Sequence, residues 1–366
     1  MKIAIAQINT TIGDFDGNAD KIIDAWRRAD EAGAALVVLP ELALCGYPPR
    51  DLLAKPAFLR QNQAALESLT KRGGKAVAVV GYASANETDS GRPAQNSAAV
   101  LQDGQVAAVR HKTLLPNYDV FDEDRYFEPA TGNTPVEILG TKVGITICED
   151  IWNDEVFLHD RRYDRRPAEE LAGAGAELLL NLSASPWSLG KEHSRHVLLS
   201  QLSVKCGCPV VYCNLVGGND ELVFDGGSQY YNGHGVLGAS GAMFAEDLLL
   251  IDTETIEPKS SDTSDDNEKI YRALSLGVRD YLHECGFAAA VIGLSGGIDS
   301  AVTAAVAVDA LGPENVRGVA MPSQYSSQGS LDDAEGLAKA LGGPIDAAEE
   351  GDGDSFDSAF GAGTGE

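Results

Sequence analysis

Over its first two-thirds the chain alternates short apolar runs with longer amphipathic ones. The short runs predict strands over 2–8, 35–39, 76–82, 97–101, 106–110, 142–147, 177–182, 209–214 and 247–252. The longer ones predict helices beginning near Asn18, Arg60, Pro167 and Lys191, with a further candidate near Asp154. In the first of these, Ile22, Ile23, Trp26 and Ala29 fall on one face. Asp103-Gly104 between two alternating runs is a hairpin signal. Helices interleaved with strands, together with hairpins, predict an α/β fold built on mixed sheets.

The pattern breaks near Glu257. Residues 258–267 contain no large apolar side chain and read as a linker, spanning 257–268, or as an exposed crossing between domains. Beyond it Ile270, Leu274, Val278, Tyr281 and Leu282 form a helical stripe. A strand, a glycine-rich turn, a helix over 300–311, a strand over 316–321 and a helix near 330–341 come next. This βαβα order predicts the start of a doubly wound domain over 269–342. From 343 to 366 the chain is rich in Gly, Asp, Glu, Ser and Ala, an atypical tail too poor in apolar residues to complete an open sheet.

A chain of 366 residues with 44% hydrophobic content is long enough for two domains. The start at Met1 runs directly into a strand pattern without a signal-like segment, and no later run reaches the length of a bilayer span, so a cytoplasmic location is expected. A net charge of −27 argues against nucleic acid or an anionic membrane as partner, since both require a basic face. The six cysteines are too few and scattered for a disulfide scaffold. Cys206-Gly207-Cys208 has the wrong spacing for a zinc knuckle, and His193 and His196 lack the glutamate of a metalloprotease helix, so no metal-ligand cluster is predicted. No Gly-x-Ser-x-Gly elbow supports a serine triad.

Two stretches carry chemistry. In Val291-Ile292-Gly293-Leu294-Ser295-Gly296-Gly297-Ile298-Asp299-Ser300 a strand enters a glycine-rich turn that opens a helix, the arrangement that cradles a phosphate on backbone N–H groups and a helix N-terminus. The serines add hydroxyl donors, and there is no Walker lysine. Elsewhere three apolar strands end in chemically active residues: Glu41, Lys112 and Cys148. Each alone has a plain structural explanation, as a surface acid, a solvated charge and a small buried hydrophobe. Together they supply a base for a thiol proton, a cation for an oxyanion and a nucleophile.

The glycine-rich stretch resembles the Ser-Gly-Gly-x-Asp-Ser loop of the ATP pyrophosphatase family. That resemblance implies a doubly wound parallel α/β domain in which Gly293, Leu294, Ser295, Gly296, Gly297, Ile298, Asp299 and Ser300 bind ATP, with Mg²⁺ as its counter-ion. Asp299 either holds that Mg²⁺ or caps the helix. Residues 1–256, with Glu41, Lys112 and Cys148 in that order, resemble the carbon-nitrogen hydrolase or nitrilase superfamily, which implies an α-β-β-α sandwich. It further implies Glu41 as general base, Lys112 as oxyanion partner, Cys148 as acyl acceptor and Glu123 as a second, supporting glutamate, with the Glu149 N–H as second oxyanion donor.

A narrower resemblance is to the family of glutamine-dependent NAD⁺ synthetases. It rests on Cys45-Gly46-Tyr47-Pro48-Pro49 after Glu41, Lys112-Thr113-Leu114-Leu115-Pro116-Asn117-Tyr118, Ile147-Cys148-Glu149-Asp150-Ile151-Trp152, Asn181-Leu182-Ser183-Ala184-Ser185-Pro186-Trp187 and Glu221-Leu222-Val223-Phe224-Asp225-Gly226. It implies Tyr118, Ser185 and Lys191 as glutamine-binding positions. Glutamine, ATP and deamido-NAD become the expected substrates, and a homo-oligomer without a tightly bound cofactor the expected assembly. The loop at 322–330 also resembles that family, whereas beyond Gly342 the resemblance is expected to stop and the synthetase half to be incomplete. The alternative is a stand-alone cysteine amidase whose second part is a non-catalytic remnant.

Overall fold

The structure, a computed structural model, describes residues 1–88, 90–153, 163–254, 263–320 and 327–347. The helix expected near Asp154, part of the linker and most of the 322–330 loop lie outside them. The chain divides into one unit of Met1–Gly217 with Leu222–Asp266, and a second of Gly218–Glu221 with the residues from Asn267 on.

In the first unit β1 (Lys2–Gln7) leads into α1 (Phe15–Glu31), which is followed by β2 (Leu36–Val38) and α2 (Pro56–Arg72). The side chain of Asp14 caps α1 by accepting the Gly17 N–H at 3.0 Å, and α2 opens on Pro56, whose ring presets helical φ. Next come β3 (Val77–Ala85), β4 (Ala94–Gln102) and β5 (Gln105–His111). The expected turn joins the last two, with Asp103 at φ 50° and Gly104 at φ 77°. Hydrogen bonding orders the first sheet β14-β1-β2-β3-β4-β5, where β14 is Asp247–Asp252. Its centre is parallel, with Ile3 opposite Leu36 and Leu36 opposite Val77, and its flanks are antiparallel.

The second sheet repeats the plan with β6 (Val136–Ile138), β7 (Thr141–Ile147), α3 (Pro167–Gly173), β8 (Leu178–Ser183), α4 (Lys191–Cys206) and β9 (Val210–Asn214). After β10 (Val216–Asn219) and β11 (Leu222–Asp225), it is completed by β12 (Gln229–Tyr231) and β13 (Leu237–Ser240), in the order β13-β12-β9-β8-β7-β6. Strands β7, β8 and β9 are parallel.

Alternation along these strands makes the layers. Ile3, Ile5, Val38 and Val79 face Ile145, Ile147, Leu180 and Val211 in one core between the sheets. The intervening residues Ala4, Val37, Ala78 and Val80 pack under Ile22, Trp26, Leu66 and Leu69 of α1 and α2. On the other side Leu179, Val210 and Tyr212 pack under Leu171, Leu198 and Leu202 of α3 and α4. The result is the expected α-β-β-α sandwich, whose strands read as continuous apolar runs because both faces are buried.

The second unit contains α5 (Asp266–Glu284), β15 (Ala290–Gly293), α6 (Ile298–Leu311), β16 (Val316–Ala320), α7 (Gln328–Leu341) and β17 (Ile345–Ala347). Its three strands run parallel in the order β15-β16-β17. Strand β17 falls inside the stretch expected to be an atypical tail unable to complete the sheet. Its backbone pairs Gly318 with Ile345, and a short strand with few apolar residues leaves little trace in composition. Helix α5 differs from expectation in its buried face. Leu274 and Tyr281 of the stripe are 49% and 47% exposed, while Ala273, Leu276 and Asp280 are buried. That opposite face packs because Gly277 meets Gly218 closely and Asp280 accepts the Gly218 N–H at 2.8 Å. Among the described residues no helix is long and apolar enough to cross a membrane.

One glycine connects the first sheet to what lies at its end. A Cβ on Gly81 of β3 would stand 2.5 Å from the Leu42 nitrogen and against the Pro40 carbonyl, so only glycine lets the segment around Glu41 lie this close. We expect Gly81→Ala to lower unfolding free energy by about 1–3 kcal/mol in denaturant titration, the cost of overpacking a filled core. An unchanged midpoint at unchanged slope would contradict this close approach.

Candidate active site

The two sheets deliver their strand ends to one place. Glu41 follows β2, Lys112 follows β5, and Cys148 follows β7 as the first residue of a short 3-10 turn (Cys148–Ile151). Cys148 adopts φ 40°, a left-handed conformation uncommon for a residue with a side chain, and is 5% exposed. Glu41 and Lys112 are each 1% exposed. The Lys112 backbone is held on both sides, its N–H by the Asn96 carbonyl at 2.8 Å and its carbonyl by the Ala130 N–H at 2.9 Å.

The Lys112 ammonium donates to Glu41 Oε1 at 2.7 Å and to both oxygens of Glu123 at 2.9 and 2.8 Å. Glu41 also accepts from Asn96 Nδ2 at 2.7 Å and, on its other oxygen, from the Ala184 N–H at 2.8 Å. Tyr47 Oη donates to Glu123 at 2.8 Å. Each charge is therefore paired and hydrogen-bonded, the condition for keeping ions in so dry a place. Burial works against the Lys112 charge, but Glu123 and Glu41 outweigh it and hold its pKa well above the ordinary lysine range. Burial pushes the Glu123 carboxyl up against the pull of Lys112, and Glu41 adds to the push. The Cys148 thiol is held well above its usual value, first by burial and then by Glu41, with Lys112 opposing. A thiol held this way is a poor nucleophile until a neighbouring group takes its proton.

The other expected residues occupy the same unit. Half-buried Tyr118 donates to Glu149 at 2.9 and 3.0 Å, and Tyr163 donates to the same carboxylate at 3.0 Å. Ser185 lies buried in the turn after β8. Lys191, in the first turn of α4, donates to the Pro186 carbonyl at 2.7 Å with its ammonium 5.7 Å from the Trp152 ring centre. Burial and then Arg195 depress its pKa.

Several side chains had no role assigned from the sequence. Tyr47 and Asn96 tether the two glutamates, and Glu149 offers a buried carboxylate beside Tyr118. Asp150 ties two strand ends together. One of its oxygens accepts the Thr113 and Leu114 N–H groups at 3.0 and 2.8 Å, and the other accepts the Ile147 N–H at 3.0 Å. This locks the segment after Lys112 to the elbow that presents Cys148. The available signal was two acids directly after a buried strand, where solvated acids are uncommon.

In the second unit the glycine-rich turn joins β15 to α6, with Gly296 at φ 76° and its Cα close against Ser330, where a Cβ would stand 2.8 Å from Ser330 Cα. The first helical bond runs from the Ala301 N–H to the Gly297 carbonyl, so the N–H groups of Ile298, Asp299 and Ser300 have no intrahelical acceptor. The serine hydroxyls, expected as ligand donors, brace the loop. Ser295 Oγ accepts the Gly297 N–H at 3.2 Å, and Ser300 Oγ donates to the Gly297 carbonyl at 3.0 Å. Gly297 occupies the helix-cap position with no side-chain bond, so Asp299 is not the cap; its carboxylate is exposed in the first turn.

The two sheets thus bring Glu41, Lys112 and Cys148 to one end of an α-β-β-α sandwich. The carbon-nitrogen hydrolase family model matches residues 2–256, and the chain belongs to that family. The NAD synthase model matches residues 270–352, which carries the second resemblance past the point where it was expected to stop. A glutamine-dependent NAD⁺ synthetase from Synechocystis sp. is 46% identical over 350 residues, which are 93% of this chain and 63% of that protein. The solved glutamine-dependent NAD⁺ synthetase from Acinetobacter baumannii, in complex with ADP, is 37% identical with a TM-score of 0.87, covering 100% of this chain and 68% of that one. An amidase of the nitrilase superfamily from Nesterenkonia is 27% identical with a TM-score of 0.58, covering 69% of this chain and 90% of that one. The chain spans a little under two thirds of the length of the curated relatives it matches.

Burial raises the Asp150 carboxyl from 3.8 to about 6, against its three N–H donors. The folded chain therefore keeps this proton where the unfolded chain has lost it. The contribution of Asp150 to stability is greatest below its unfolded value and fades as pH rises through about 6. In scanning calorimetry, the melting temperature of wild type minus that of Asp150→Asn should fall as pH rises from about 4 to about 7. A difference that stays level or grows would contradict this assignment.

Proposed function

We propose that this chain carries the glutaminase half and the opening of the nucleotide-binding half of a glutamine-hydrolysing NAD⁺ synthase. The observation that carries the reading is the buried Lys112 ammonium bonded to both Glu41 and Glu123, with Cys148 presented beside them on a strained elbow.

In the proposed reaction the Cys148 sulfur attacks the γ-carboxamide carbon of glutamine while Glu41 takes the thiol proton. Lys112 and the Glu149 N–H stabilise the oxyanion. Collapse of the tetrahedral adduct breaks the C–N bond, Glu41 returns its proton to the leaving nitrogen, and ammonia departs from a γ-glutamyl thioester. Water, deprotonated by Glu41, then attacks the thioester, releases glutamate and restores the thiol. Glu123 pairs the second side of Lys112 and so fixes its ammonium. Ser185 and Lys191 suit the α-carboxylate of glutamine, and Tyr118 with the Glu149 carboxylate suits its α-ammonium.

The second unit is proposed to bind ATP through residues 293–300, using the N–H groups at the start of α6. Mg²⁺ fits the exposed oxygen donors there, and Asp299 would hold it against the phosphates of a bound nucleotide. The carboxylate of deamido-NAD would be adenylated with release of pyrophosphate, and ammonia would displace AMP to give NAD⁺. The NAD synthase match favours this reading over a stand-alone amidase. A homo-oligomer in the cytoplasm is the setting that goes with it.

Cys148→Ala should abolish glutamate release from glutamine, and Glu41→Gln or Lys112→Met should lower kcat by about 10³ or more in a coupled glutamate assay. Undiminished release by Cys148→Ala would eliminate the proposal. For the nucleotide site, Gly296→Ala drives a methyl into Ser330 at a left-handed position and should abolish Mg-ATP binding in calorimetric titration. Equal affinity in that variant would remove the loop from the site.

A further inference from the structure

The stretch Glu221–Gly226 has no place in the chemistry above, yet its aspartate is completely buried. Asp225 is 0% exposed, and its Oδ1 accepts from Arg195 Nη2 at 2.9 Å and from Asn214 Nδ2 at 3.1 Å. Asn214, also 0% exposed, stands at the end of β9. Its Oδ1 accepts the Ser185 N–H at 2.9 Å, and its Nδ2 reaches the Ser185 carbonyl at 3.4 Å and the Gly226 carbonyl at 2.9 Å. One amide thus grips both backbone groups of Ser185 and the carboxylate of Asp225. Arg195 lies one helical turn past Lys191 on α4, its guanidinium 5.4 Å from the Tyr212 ring centre and its Nη1 donating to the Gly226 carbonyl at 3.3 Å.

The path Ser185–Asn214–Asp225–Arg195 therefore joins the turn that carries Ser185 to the helix that begins with Lys191. Those two elements are consecutive pieces of chain already tied through Lys191 Nζ to the Pro186 carbonyl and the Trp187 N–H to the Val223 carbonyl, and the buried ion pair adds a second link between them. Such pairs are weak sources of net stability and act mainly by fixing geometry; here Asp225 Oδ1 and both terminal nitrogens of Arg195 are bonded, while Asp225 Oδ2 and Arg195 Nε find no partner among the described residues. Among the described residues Asn214, Asp225 and Arg195 make no hydrogen bond to Glu41, Lys112 or Cys148.

We infer that Asn214, Asp225 and Arg195 are positioning residues for substrate selection: they hold Ser185 and Lys191 at the spacing that grips the amino-acid end of glutamine. They act on recognition, not on the thiol. The inference rests on the reading that this site hydrolyses glutamine and deepens it by naming what sets its preference for an amide that carries an α-carboxylate.

Asn214→Ala removes both backbone contacts to Ser185 and one bond to Asp225 Oδ1, while keeping both charges of the ion pair. Its KM for glutamine should rise about tenfold or more, the cost of a misplaced charged contact, with kcat changed by less than about twofold. Chloroacetamide, which lacks the amino-acid end, should alkylate Cys148 at the wild-type rate, read by mass on the peptide that carries Cys148 because Cys285 is an exposed thiol. An unmoved KM, or a parallel fall in alkylation and turnover, would overturn the inference. If Asn214→Ala does not fold, Arg195→Met/Asp225→Leu removes both charges together and should give the same rise in KM; an unmoved KM there is equally fatal. A wild-type chain that alkylates at Cys148 but leaves glutamine intact overturns the functional reading itself and this inference with it.

Discussion

The first unit is organised around one buried ammonium. The Lys112 side chain has no exposure to water, so it must be neutralised by partners brought to it, and Glu41 and Glu123 supply them at hydrogen-bond distance. The two carboxylates in turn need the one cation, since without it like charges would face each other in a dry pocket. Removing any member leaves another stranded, which typically costs about 3–5 kcal/mol. The same mutual dependence is what makes the cluster useful. A carboxylate fixed beside a thiol can take its proton, and an ammonium fixed beside both can meet an anionic oxygen without reorganisation at the moment of reaction.

The sandwich is the device that holds this arrangement. Glu41 and Lys112 come from the first sheet and Cys148 from the second, so register within each sheet and packing between them decide whether the three meet. Local ties finish the alignment. Asp150 binds the segment after Lys112 to the Cys148 elbow, the Ala184 N–H fixes the free oxygen of Glu41, and Gly81 gives the Glu41 segment room against β3. Function thus depends on a rigid scaffold, with only short turns carrying the chemistry.

The long strands and helices were legible because their apolar periods extend over several residues, and the Asp103-Gly104 turn because its chemistry is specific. The strands Val136–Ile138, Val216–Asn219, Leu222–Asp225, Gln229–Tyr231, Leu237–Ser240 and Ile345–Ala347 were not, since three or four residues cannot display a period and pair only through partners elsewhere. On α5 the period identified a helix but pointed to the wrong face, because Gly277 and Asp280 pack by backbone approach and a hydrogen bond that hydrophobicity does not register. Glu41, Lys112 and Cys148 stood out as polar ends of apolar strands. Asn96, Tyr47 and Asn214 did not, for their meaning lies in partners such as Glu41, 55 residues from Asn96, and Glu123, 76 residues from Tyr47. Asp299 shows the opposite case, where a helix-start acid suggested a cap that the backbone places at Gly297 instead.

In the proposed reaction the buried cluster moves an acyl group onto Cys148. Rapid chemical quench after mixing the chain with glutamine, followed by peptide mass spectrometry, reads this directly. A γ-glutamyl adduct is expected on the peptide carrying Cys148 and on no other cysteine peptide, formed together with ammonia and lost as glutamate appears. Glutamate released with no adduct at any quench time, or an adduct on another cysteine alone, would contradict it.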